Sequence, residues 1–256
     1  MSRLFDFHVH SSHSDGSVSL ADRGRAGALR PHGISDHFPY GRHFQTDDDV
    51  LRYLDQAARL GLRVGLEYDL GVAPELRPRT RDALDYLIGS VHQIFRGRER
   101  VGYDLAGDFL KNGRRGTYVE RDRFADPTLR ALILERTLEL VRKGSERQGI
   151  AIVGHPTFTP LAALGDPEDA YPLEWQERLI ALCLKLGLAV EVNEKYGVPH
   201  TAFLVRAKRA GCRFSVGSDA HGPLEPLDRT EAMIAAAALD PGAFVWPTAP
   251  AAGRAP

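Results

Sequence analysis

Histidine and carboxylate recur along this chain at spacings that suit metal ligation. Near its start, Phe7-His8-Val9-His10 places two imidazoles two residues apart, and Ser14-Asp15-Gly16 follows closely. If residues 4–10 form a strand, as the apolar Leu4, Phe5 and Phe7 suggest, its period of two turns His8 and His10 to one face. Asp15, beside the turn-forming Gly16, could then approach the same point from the loop. Short apolar runs further on end in the same residue types: 33–37 in Asp36-His37, 62–67 in Glu67, 86–92 in His92, 150–155 in His155, and 213–221 in Asp219-Ala220-His221. Any one of these alone could be a capping or solvated residue. Six strand ends with the same chemistry together predict a metal site.

The elements that must position these residues read as an alternation. The runs above, with 188–193, make about seven strands. Helical patterns lie between them at 18–29 (with Ser17 or Ser19 as cap), 47–60, 127–148, 173–186, 201–210 and 229–239. Strand and helix in alternation predict a parallel sheet, and strands this continuously apolar predict one covered on both faces. A chain of 256 residues, 43% of them apolar, is long enough for a single α/β barrel, here spanning 1–240. All carboxyl ends of such a barrel lie at one rim, where residues distant in sequence meet.

Two regions stand outside the alternation. Residues 96–126 are Gly-rich and charged, and are expected to be a long loop acting as a lid or substrate wall, with a solvated insertion as the alternative; Arg96 and Arg98, just after His92, are candidates for phosphate contact or members of a solvated charge cluster. Residues 241–256 turn to Pro, Ala and Gly and are expected to be a loosely ordered tail, unless Phe244 or Trp246 docks.

The 33 basic and 34 acidic residues nearly cancel, so no global field recruits nucleic acid or an anionic membrane. Cys183 and Cys212 lie far apart and outside any Cys-x-x-Cys pair, Cys183 in an apolar helical pattern that fits a buried inert thiol, and this usage fits a reducing cytoplasm. No signal-like start and no membrane-spanning apolar run is found, so a soluble cytoplasmic protein is expected.

Imidazole and carboxylate without thiolate suit zinc, manganese or iron, and the ligands outnumber what one tetrahedral ion can use. Two or three divalent ions are expected. Ions about 3.5–4 Å apart can share a carboxylate and a water and clamp a phosphoryl group from both sides, so phosphoester hydrolysis is the natural reaction.

Taken as a set, His8-Val-His10, Ser14-Asp15-Gly16, Ser35-Asp36-His37, Gly65-Leu-Glu67, Gly89-Ser-Val-His92, Gly154-His155-Pro156 and Gly217-Ser-Asp219-Ala-His221 resemble the motif series of the PHP (polymerase and histidinol phosphatase) family, from residue 4 to about 222. The resemblance implies a distorted barrel of seven strands and helices with a trinuclear metal centre. It places one ion on His8, His10, Glu67 and Asp219, with Glu67 bridging to a second on His92 and His155. Asp15, His37 and His221 would hold the third. Glu191-Val-Asn193 and the Gly-Ser-Val-His92 run most resemble the histidinol-phosphatase branch, where members commonly place an arginine soon after the Glu-x-Asn strand to hold phosphate; this chain has Lys195 there.

The leading expectation is hydrolysis of a small phosphate monoester, histidinol phosphate first among them, by in-line attack of a metal-bridging hydroxide. Asp15 or His221 would protonate the leaving group or position a water that does, and Lys195 would meet the phosphate as a point charge. Hydrolysis of nucleotides or short oligonucleotides is the alternative enzymatic reading, and a metal-binding structural or interaction module the non-enzymatic one. Asp36 is expected to orient His37 or another ligand, and His13 to touch solvent or substrate. His32, His43 and His200 have no motif partners and read as surface or structural residues.

Overall fold

The computed structural model describes residues 4–26, 30–104 and 121–246. Its strands are β1 (Gly33–Ile34), β2 (His37–Phe38), β3 (Arg63–Asp69), β4 (Tyr86–Ser90), β5 (Gln93–Arg96), β6 (Glu99–Gly102), β7 (Ile152–Val153), β8 (Ala189–Asn193) and β9 (Arg213–Gly217). One sheet runs β1-β3-β4-β7-β8-β9 with β2 also beside β3, and every pairing in it is parallel. Helices over Asp47–Ala58, Pro127–Gln148, Leu173–Leu186, Thr201–Ala210 and Asp228–Ala236 connect the strands, close to where the helical patterns predict them. No helix among the described residues is long and apolar enough to cross a membrane.

The opening segment closes this sheet into a distorted barrel. On one side Phe7 N–H donates to the Val216 carbonyl and His10 N–H to that of Ala220; on the other, Gly33 N–H donates to Asp6 and Ser35 N–H to Val9. It is not the regular strand expected. Only Asp6 and Val9 form bridges. Phe7 packs edge-on against Tyr86 inside the barrel, in a cluster with Ile88. Ile88 is the register partner of Glu67, which His8 meets, so the adjacent Phe7 and His8 reach the same side and alternation fails between them. His8 and His10 still share a face.

The outer faces of β3, β8 and β9 (Val64, Leu66, Val190, Val192, Phe214, Val216) join Leu179, Ile180 and Phe203 of the helices in the main core. Phe5, Phe7, Tyr86, Ile88, Ile152 and Ala189 fill the barrel interior. Tyr86 needs space to cross that interior: a Cβ on Gly65 would lie 2.3 Å from its ring. Its hydroxyl donates to the Phe7 and Ile34 carbonyls, at 2.8 and 3.2 Å, tying the closing segment to β1.

Other boundaries also depart from expectation. The first helix is Leu20–Arg25, with Ser19 the cap that accepts from Asp22 N–H; 27–29 lie outside the described residues. Strands β4, β7 and β9 stop short of His92, His155 and Asp219. His155 (φ 26°) and Asp219 (φ 53°) have positive φ, which no strand accommodates, so these residues stand just beyond the strand ends. The stretch expected to be one loop from 96 begins as the antiparallel hairpin β5–β6, with Ile94 and Val101 paired and buried. Residues 105–120, and with them most of the expected lid, lie outside the described residues. So does the tail beyond 246, while Phe244 is buried against Phe214 and Val245 N–H donates to the Phe214 carbonyl.

Candidate metal centre

The rim brings all nine predicted ligands together. His8 and His10 come from the closing segment, Asp15 from its loop, and Glu67 from β3. His37 begins β2, while His92, His155, Asp219 and His221 follow β4, β7 and β9. Four overlapping sets have ligand atoms within 4.8 Å of one another: His10, Asp15, His37 and His221; His8, His10 and Asp219; His8, Glu67 and His155; and His37, Glu67 and His92. The sets share members more than the three-ion partition implied by the motif resemblance: His10 reaches Asp15 as well as Asp219, and His37 reaches Glu67.

Glu67 is the hub. Its Oε2 lies 3.3 Å from His8 Nε2, 3.6 Å from His10 Nε2 and 2.7 Å from His37 Nδ1. Its Oε1 lies 2.9 Å from His155 Nε2 and 3.1 Å from His92 Nε2. One carboxylate, 1% exposed, thus faces five imidazoles. At the open edge His221 Nε2 is 3.0 Å from Asp15 Oδ2, and Asp15 is 36% exposed.

Charge in this ring is strongly coupled. Burial opposes a charged imidazole, yet the carboxylates, Glu67 foremost, raise His37 to about 9 and His92 to about 10. His8 is likewise raised against its burial by Glu191, Glu67 and Asp219. His10, fully buried and facing His37, is pushed well below the usual value. Burial would raise Glu67 and Asp219, but His37, His8 and His92 hold the first well below the carboxylate range, and Lys195 and His8 the second. A field that holds protons on imidazole nitrogens favours any cation that competes for the same lone pairs. Among the described residues, His8 Nε2 and His10 Nε2 are buried without a hydrogen-bond partner, although such groups are costly to leave unpaired. Directed inward with no thiolate, they fit divalent transition-metal ions such as zinc, manganese or iron.

The neighbouring residues follow expectation in part. Asp36 does not hold His37; its carboxylate accepts from Ser11 N–H, the Ser11 and Ser14 hydroxyls and the Tyr53 hydroxyl, and so braces the 11–14 loop. His13 packs against Phe44 and Tyr53, away from the ring of ligands. His32 is buried, His43 meets the His13 carbonyl, and His200 pairs with Glu168, all outside the ring. Three further residues contribute: Asp69 and Arg23 carry no motif signal, and Glu191 belongs to the Glu191-Val-Asn193 run but was given no role by it. Asp69, one alternation beyond Glu67, lies 3.6 Å from His92 Nδ1. Glu191 meets His8 Nδ1 at 2.6 Å. Arg23, fully buried, donates to the carbonyls of His10, Ala220 and Gly222 and so laces two ligand-bearing segments together.

Of the three substrate candidates, only Lys195 reaches the ring, with Nζ 2.8 Å from Asp219 Oδ1 and 3.1 Å from His221 Nδ1. Arg96 gives its guanidinium to Glu99 on the hairpin, at 2.8 and 2.6 Å, and Arg98 is exposed nearby.

No sequence-family model and no curated protein matches this chain. Solved structures do. A protein of Listeria monocytogenes described as a candidate histidinol phosphatase, HisK, is 18% identical with a TM-score of 0.60, over 85% of this chain and 95% of its own. Histidinol phosphate phosphatase of Lactococcus lactis, solved with zinc, L-histidinol and phosphate, is 15% identical with a TM-score of 0.56, over 92% and 94%. These likenesses show the fold, a distorted α/β barrel.

Proposed function

We propose that this chain is a metal-dependent phosphoesterase of the polymerase and histidinol phosphatase family, hydrolysing a small phosphate monoester. The observation that carries the reading is the Glu67 hub, one buried carboxylate facing five imidazoles on a rim that also gathers two further carboxylates. Divalent ions held there would activate water and neutralise phosphoryl oxygens. His8, His10, Asp15, His37, Glu67, His92, His155, Asp219 and His221 would hold two or three of them. Asp15 and His221, paired at the open edge, would position a water that hands a proton to the departing alkoxide, since Asp15 is held ionised by its histidine neighbours.

The chemistry of the substrate rests on Lys195. Ions neutralise only the oxygens they touch, and the remaining phosphate charge needs a fixed donor. Lys195, with its side chain 17% exposed, supplies a positive charge at the ring's edge. Lys195→Ala is expected to raise KM for the best phosphomonoester about tenfold, with a smaller change in kcat, as for a contact equally strong in ground and transition states. Steady-state kinetics decide it. If Arg96→Ala or Arg98→Ala raises KM while Lys195→Ala does not, the clamp lies on the hairpin.

Histidinol phosphate leads the substrate list, since both similar structures carry that activity in their names and one was solved with histidinol and phosphate. A panel of phosphomonoesters, nucleotides and diesters, with metal content measured on the same preparation, tests the reading. Preference for a monoester with a small polar alcohol supports it; turnover confined to diesters would transfer the chain to the nucleotide-hydrolysing alternative.

A further inference from the structure

Glu191 is fully buried on β8, and among the described residues its hydrogen-bond donors all belong to the metal centre or its immediate support. Its Oε1 lies 2.6 Å from His8 Nδ1. Its Oε2 accepts from the backbone N–H of His155 at 2.6 Å and from Asn193 Nδ2 at 3.2 Å. An imidazole has two ring nitrogens, and the bond made by one decides what the other presents. With Nδ1 committed to Glu191, His8 turns Nε2 toward Glu67, where among the described residues it has no hydrogen-bond partner. The His155 contact acts on backbone instead. It anchors a residue held at φ 26°, a conformation that persists only where the surroundings enforce it.

A second observation points the same way. Gly217 on β9 faces Glu191, and a Cβ there would lie 2.0 Å from Glu191 Oε1 and 2.8 Å from His8 Cβ. The neighbouring strand lacks a side chain where this carboxylate must stand.

We infer that Glu191 is a positioning residue of the metal centre, fixing the tautomer and direction of His8 through its side chain and aiming His155 through its backbone. The inference rests on the metal-binding reading above. A carboxylate behind a ligating imidazole also makes that imidazole a better donor, and loss of such a partner typically weakens metal binding about 10–100-fold.

The test uses full-length protein stripped of metal and titrated with zinc against a chromophoric chelator. Glu191→Gln keeps the volume and removes the charge, and should weaken zinc binding about 10–100-fold. In the zinc-loaded protein it should also abolish the low-field proton resonance of His8 Nδ1. Gly217→Ala, which displaces the carboxylate without altering it, should shift zinc affinity in the same direction. Thr137→Val, a buried polar substitution in the helix Pro127–Gln148, controls for lost stability and should leave zinc affinity unchanged. Wild-type zinc affinity in Glu191→Gln, or an equal loss in Thr137→Val, overturns the positioning role while leaving the metal centre standing. Failure of the wild-type protein to take up zinc overturns both.

Discussion

Glu67→Gln is expected to lower kcat for phosphomonoester hydrolysis by about three orders of magnitude while leaving the fold intact. The substitution keeps the volume of a side chain packed at the centre of the barrel mouth and removes only its charge. That charge faces His8, His10 and His37 through one oxygen and His92 and His155 through the other. A neutral amide presents one acceptor and one donor group where the carboxylate presents two acceptors, so it cannot face cations on both sides. Metal content should fall by at least one ion per chain. Circular dichroism and the thermal midpoint separate loss of site from loss of structure. Activity near wild type at full metal content would remove Glu67 from the bridging role.

Stripping the protein with a chelator is expected to abolish hydrolysis, and zinc, manganese or iron to restore it. Without ions the rim offers only poor bases at neutral pH: its carboxylates lie well below their usual range, and His37 and His92 keep their protons up to about 9 and 10. Stability should follow. An ion present at about 100 times its dissociation constant contributes about 2.7 kcal/mol to the folded state. For a chain of this size each kcal/mol moves Tm by about 2–4 °C, so the stripped protein should melt about 5–10 °C lower. Calorimetry with and without added metal measures it. Hydrolysis that survives thorough chelation would exclude the mechanism.

The convergence of ligands was legible in the sequence because it rests on two robust patterns, apolar strands ending in histidine or carboxylate and the common rim of a parallel barrel. How the ligands divide into sets was not legible, since His10 reaching toward Asp15 and His37 reaching Glu67 depend on side-chain directions set only by the closed barrel. The closing segment misled for a related reason. Its Phe7 and His8 break the alternation that strand periodicity assumes, a local feature fixed by hydrogen bonds to two neighbours at once. The hairpin β5–β6 was hidden by its charge: Ile94 and Val101 form its buried pair, and Phe95 is exposed among charged neighbours.

The supporting residues divide by whether a pattern betrays them. Glu191 stood out as part of Glu191-Val-Asn193, and its supporting role could have been read from a charged residue inside the apolar run Leu188-Ala-Val-Glu-Val-Asn193, where burial demands a partner. Asp69 follows Glu67 at the strand period. Arg23 offered nothing, because an arginine on a short polar helix reads as solvated until three carbonyls from distant loops are seen around it.

Diffraction at the absorption edge of the bound metal, from crystals of protein reconstituted with zinc or manganese, tests the metal centre most directly. Two or three anomalous peaks are predicted within the ring of His8, His10, Asp15, His37, Glu67, His92, His155, Asp219 and His221, two of them sharing Glu67. A ring without an anomalous peak, with metal found only at the surface, would contradict it.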